Sequence, residues 1–151
     1  VNMLPATVAR LAVMKNIVGI KEGSGSVQQA SEIAQMCEDR LAVLSGDDAL
    51  TLPMMAVGGK GVITVTANVV PKEMAQLVSS FLGGRIDEAR RIHFTLSPLF
   101  GALFYETNPI PVKEALGMMG KIDPELRLPL CAMGVDTRNQ LARVLKEMRL
   151  I

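Results

Sequence analysis

Tryptophan is missing from this chain, tyrosine occurs once, and aromatic residues make up only 3% of its 151 residues. So few rings exclude the stacking platforms on which single-stranded nucleic acids are held. Charge of one sign is also lacking: 16 Lys and Arg face 15 Asp and Glu, for a net charge of +1. Such a balance leaves no electrostatic footprint for a nucleic-acid backbone. No run of about 18 apolar residues occurs, so neither a membrane span nor a membrane partner is expected. No secretory signal is expected either. Cysteine appears twice, at Cys37 and Cys131, without a neighbour at metal-ligand spacing. The expectation is reduced thiols in a cytoplasmic protein, with no metal site. The chain begins at Val1 without an initiator methionine, which suggests a piece of a longer protein.

What the chain does have is apolar material. Hydrophobic residues make up 49% of it, enough for a sizeable core and too many for a disordered chain. Ten methionines suit adaptable core packing.

The apolar residues fall into a repeating pattern. Pro5 suits the first turn of a helix that carries Val8, Leu11 and Ala12 on one face. The run Ile17-Val18-Gly19-Ile20 then reads as a buried strand, and Lys21 to Ser26 as a flexible loop. Ser26 is placed to cap a helix with Val27, Ala30, Ile33, Ala34 and Cys37 on its inner face. A second cycle runs from the strand Leu41–Leu44 through Ser45-Gly46-Asp47-Asp48, with Asp48 placed to cap a short helix through Leu52. A third strand, Val62–Val65, leads through Thr66-Ala67-Asn68 to a helix after Pro71 carrying Met74, Leu77, Val78 and Phe81. Continuous apolar strands alternating with amphipathic helices predict parallel βα units. Strand starts about 20–25 residues apart suit a (β/α)₈ barrel, of which three strands would be a part.

From Arg85 the pattern becomes helical. A helix is expected from Arg85 to Tyr105, another from Asn108-Pro109 onward, and a last one capped by Asp136 or Thr137 with Leu141, Val144, Leu145 and Met148 inside. The predicted organisation is therefore a partial barrel over 1–84 and a helical domain over 85–151.

In parallel α/β proteins function gathers at the C-terminal ends of the strands. Lys21 directly follows the first apolar run. An amine there is expected to be partly desolvated, which favours its neutral, nucleophilic form and imine chemistry with carbonyls. The Gly-Ser-Gly stretch lacks the full nucleotide-binding fingerprints. Asp47 and Asp48 are adjacent and point apart, so loop hydrogen bonding is expected of them rather than acid–base work. His93, the single histidine, has no carboxylate–nucleophile pattern around it and is expected to be an ordinary helical residue.

Several of these segments carry a resemblance. Asn16-Ile17-Val18-Gly19-Ile20-Lys21-Glu22 resembles the Schiff-base lysine strand of the dihydrodipicolinate synthases, and Leu44-Ser45-Gly46-Asp47-Asp48 is similar to their next strand end. Gly59 to Asn68 resembles their last strand. Glu106 to Lys113 and Leu126 to Leu130 resemble their helical tail. The resemblance implies the C-terminal half of a pyruvate-dependent lyase, with the last three strands of a (β/α)₈ barrel followed by a helical domain. It implies that Lys21 captures pyruvate as an imine, whose enamine attacks L-aspartate 4-semialdehyde in lysine and diaminopimelate biosynthesis. It also implies Gly46 and Ile63 at the pocket wall, with Val65 a further candidate, no cofactor, and a homotetramer of tight dimers. The family's proton-relay tyrosines and threonine and its carboxylate-binding arginine belong to the other half. The chain alone is therefore expected to be nearly inert. Two alternatives stand beside this reading: a sibling pyruvate aldolase such as an N-acetylneuraminate lyase, and a non-catalytic half-barrel serving as a binding or assembly module.

Overall fold

The computed structural model describes all 151 residues. Three parallel strands form one sheet in the order β1 (Gly19–Glu22), β2 (Ala42–Ser45) and β3 (Gly61–Val62). Seven α-helices accompany them: α1 (Pro5–Leu11), α2 (Val27–Cys37), α3 (Thr51–Ala56), α4 (Pro71–Leu82), α5 (Ile86–Ala102), α6 (Ile110–Met118) and α7 (Val135–Glu147). The chain divides into two compact units. One comprises residues 1–64 and 78–89, and the other 65–77 and 90–151.

The first unit holds the sheet. Pro5 opens α1, as its fixed φ and missing N–H favour. Ser26 caps α2, its hydroxyl accepting the Gln29 N–H at 3.1 Å. The inner faces of α1 and α2 bury Val8, Ala12, Ala30, Ile33 and Cys37 in one cluster with Leu41, Val43 and Met54. Ile33 is fully enclosed, so truncating it to alanine would cost about 2–5 kcal/mol.

The strands depart from their expected bounds. β1 starts two residues later than the apolar run and includes Lys21 and Glu22, which the sequence assigned to a loop. β2 is likewise shifted by one residue, and β3 is reduced to two. An apolar run marks what is buried, whereas a strand ends where its ladder ends. Here Gly19, Ile20, Lys21 and Glu22 pair with Ala42, Val43, Leu44 and Ser45.

The turn after β2 also differs. Asp47 accepts the Ala49 N–H at 2.9 Å, and the Thr51 hydroxyl donates to the Asp48 carbonyl at 2.8 Å. α3 therefore begins at Thr51 and has no side-chain cap, rather than being capped by Asp48 and ending at Leu52.

The second unit is helical in the main. Leu96, Leu99, Leu103, Ala115, Leu141 and Leu145 are buried within it, with α6 packed on α7. Neither Asp136 nor Thr137 caps α7. Its N-cap is Gly134, whose N–H is taken at 2.9 Å by the carboxylate of Glu106. The Thr137 hydroxyl donates its one proton to the same carboxylate oxygen and also lies 3.0 Å from the Gly134 carbonyl. No helix is long and apolar enough to cross a membrane.

Candidate active site at the end of the first strand

Alternation along β1 and β2 sorts the strand residues by face. Glu22, Val43 and Ser45 are buried on the side of the helices, and Ile20 is half-buried. Lys21 pairs with Leu44 and points to the opposite face, where it is exposed. The partial desolvation expected of it is absent, because three strands do not enclose the face it stands on. Its Nζ enters no salt bridge.

Gly46 follows β2 directly and lies against Lys21. A Cβ on Gly46 would meet the Glu22 carbonyl oxygen at 2.9 Å, Gly23 Cα at 3.0 Å and Lys21 Cε at 3.0 Å. The Gly46 N–H donates to that same Glu22 carbonyl at 2.6 Å. Only glycine permits this approach. Ile63 is next to the same strand end, its N–H donating to the Ser45 carbonyl at 2.8 Å, and it is 47% exposed. Lys21, Gly46 and Ile63 are thus gathered around the C-terminal ends of adjacent strands. Val65 falls in the second unit, half-buried, at the start of a 3₁₀ turn over Thr66–Asn68. Its carbonyl accepts the Asn68 N–H and side-chain amide.

A cleft of about 500 Å³ opens beside Lys21, lined also by Glu22, Ser24 and Gln29. A second cleft of about 560 Å³ lies where Lys60 and Leu41 precede their strands. There Lys60 forms an exposed ion pair with Asp39 at 3.1 Å. Chemically, the first arrangement offers an amine free of ion pairs, beside the half-buried Gly46. An amine in that setting can condense with a carbonyl compound.

Sequence reasoning overlooked Glu22. It is 3% exposed, and its Oε1 accepts the Ser24 N–H at 3.1 Å and the Gln29 side-chain amide at 2.9 Å. A single acidic residue in an expected loop carries no signal. Its place inside a strand, pointing at the helices, supplies one.

Comparison with known proteins gives a consistent result. The family model of the dihydrodipicolinate synthetase family matches residues 1–148. The chain is 56% identical over 151 residues to the 4-hydroxy-tetrahydrodipicolinate synthase of Geobacter metallireducens, and 54% identical to that of Thermodesulfovibrio yellowstonii. All of this chain and 52% of each relative are covered, so the chain spans about half the length of the curated relatives it matches. The crystallised dihydrodipicolinate synthase of Thermotoga maritima superimposes with a TM-score of 0.96 at 44% identity, over 99% of this chain and 52% of that one. The enzyme of Aquifex aeolicus does so with a TM-score of 0.94 at 47% identity, over 97% and 50%. By its sequence and by its fold, this chain belongs to the dihydrodipicolinate synthetase family.

Proposed function

We propose that this chain is the imine-forming part of a 4-hydroxy-tetrahydrodipicolinate synthase, which condenses pyruvate with L-aspartate 4-semialdehyde. The observation that carries the reading is the position of Lys21 at the end of β1, against the backbone of Gly46. In its neutral form the Lys21 amine adds to the keto carbon of pyruvate, and loss of water leaves the imine. The imine draws electrons from the neighbouring methyl group, which loses a proton to give an enamine. The enamine carbon then forms a bond to the aldehyde carbon of the second substrate. Attack of that substrate's amine on the imine carbon closes the ring and expels Lys21. Gly46 and Ile63 line the pocket in this reading through backbone groups, with Val65 a further lining residue. The name of the close relatives supports the choice of this product over that of a sibling aldolase.

The three βα units over 1–84 are then the closing strands of a (β/α)₈ barrel, and residues 85–151 its C-terminal helical domain. The order of the elements supports this, since no strand follows Val62. The complete enzyme acts in the cytoplasm as a homotetramer and needs no cofactor. A reading frame upstream of Val1 encoding five further βα units is expected; the missing strands encoded downstream of Ile151 would overturn the placement.

The test of the activity is borohydride reduction of the complete enzyme with pyruvate, followed by mass spectrometry. The adduct is expected on Lys21 and absent in Lys21→Arg. An adduct on Lys60 or Lys113, or none, would overturn the assignment. A coupled assay decides the second substrate. Preference for N-acetylmannosamine or glyceraldehyde over aspartate semialdehyde would move the protein to a sibling activity.

A further inference from the structure

Glu22 is the one acidic side chain placed by the sheet beneath the candidate site, and nothing in the reaction above uses it. It occupies a helix-facing position where Ile20 and Val43 are apolar. Its Oε2 is buried and accepts no hydrogen bond, an arrangement that disfavours the folded chain. An apolar residue would fill that position at less cost. What the carboxylate does provide is geometry. Through Oε1 it ties the Ser24 N–H and the Gln29 amide to the end of β1. Gln29 is anchored in turn: its own N–H is held by Ser26 Oγ, and its side-chain amide exchanges hydrogen bonds with Asn2 at 2.7 and 3.0 Å. The main chain of Glu22 is bonded to Lys21 on one side, and its carbonyl takes the Gly46 N–H at 2.6 Å. One side chain therefore fixes the end of β1, which carries the amine and, through the Glu22 carbonyl, holds the Gly46 at the end of β2 against which the amine rests.

We infer that Glu22 is a positioning residue for imine formation, acting through the Gly23–Ser26 loop and the Glu22–Gly46 backbone bond to hold Lys21 at the angle from which it attacks a keto acid. The inference rests on Lys21 being the imine-forming residue. A misplaced reacting group loses rate steeply, up to about 100-fold for an error of about 1 Å, whereas the affinity for the keto acid depends on its own contacts.

The experiment uses the complete enzyme, with the rate of borohydride trapping at saturating pyruvate, and kcat and KM for pyruvate, as readouts. Glu22→Met replaces the carboxylate by an apolar chain of similar length. It is expected to stay folded, to slow trapping and kcat by about tenfold or more, and to leave KM nearly unchanged. Glu22→Gln keeps an acceptor at the Oε1 position and is expected to restore most of the rate. Gln29→Ala removes one of the two donors and is expected to slow trapping less than Glu22→Met does. Trapping at the wild-type rate in a folded Glu22→Met enzyme would overturn the inference. Should Glu22→Met not fold, a wild-type rate in Gln29→Ala overturns it equally. Absence of an adduct on Lys21 in the unaltered enzyme would instead sink the assignment of the lysine, and this inference with it.

Discussion

Lys21 Cε lies 3.0 Å from the point that a side-chain carbon on Gly46 would occupy. The lysine stem could swing aside at little cost, but the other two neighbours of that point cannot. The Glu22 carbonyl oxygen at 2.9 Å and Gly23 Cα at 3.0 Å are backbone. Gly46→Ala is therefore expected to push β1 and β2 apart at the site. Overpacking of this kind costs about 1–3 kcal/mol, and displacement of Lys21 should slow pyruvate trapping by about tenfold or more. Chemical denaturation and the trapping rate of the complete enzyme are the measurements. An alanine variant with unchanged stability and rate would show that this approach has no mechanical consequence.

A second expectation concerns Glu106 and α7. Its carboxylate receives the Gly134 N–H and the Thr137 hydroxyl at the start of that helix, standing in for an N-cap that Gly134 itself cannot supply. Glu106→Ala should lower stability by about 0.5–2 kcal/mol, the usual range for a lost cap. Glu106→Gln retains an acceptor and should lose less. Urea unfolding of both variants checks the order, and equal losses would mean that packing rather than capping sets the effect.

Much of this architecture is legible in the sequence, and the exceptions have physical causes. The alternation of parallel βα units, the faces of α1, α2 and α7, and the Ser26 cap follow from local periodicity and local hydrogen bonding, which a sequence displays directly. The cap on α7 comes from Glu106, 28 residues away from Gly134, and no local pattern announces it. Val43 is 2% exposed in the helix-facing core, while its neighbour Leu44 pairs with Lys21 on the other face. A parallel strand is apolar on both faces, so its composition does not say which residue points where. The same blindness hid Glu22. Its side of the sheet is fixed by the register with Ser45, not by anything in the residues beside it.

His93 gives a pH dependence with a definite sign. Burial pushes its pKa below the ordinary 6.5, and its Nδ1 has no hydrogen-bond partner. The unfolded chain then binds a proton that the folded chain resists, so stability falls as pH drops below about 6.5 and levels off once the folded pKa is passed. The ring is only part-buried, and solvent screening keeps the effect small. Denaturation midpoints measured from pH 7.5 down to the onset of carboxylate titration should decline in the parent chain and less in His93→Gln. Parallel profiles for the two would remove His93 as the cause.

The isolated 151-residue chain should associate with itself. In its sheet β1 and β3 are edges, and each presents unpaired backbone N–H and C=O groups to any other strand. Val18 at 74% and Ile63 at 47% exposure stand beside those edges, and burying one such side chain is worth about 1.5–3 kcal/mol. Pairing of a β1 or β3 edge with another copy would satisfy the backbone and cover the side chain in one step. Sedimentation velocity across a concentration series should therefore show species larger than a monomer, growing with concentration. Ile63→Lys should weaken that association, since an edge charge must be desolvated before a second strand can dock. A strictly monomeric parent chain with a sharp, cooperative melt would mean that the open edges are already protected, and that this length of chain is a self-sufficient fold.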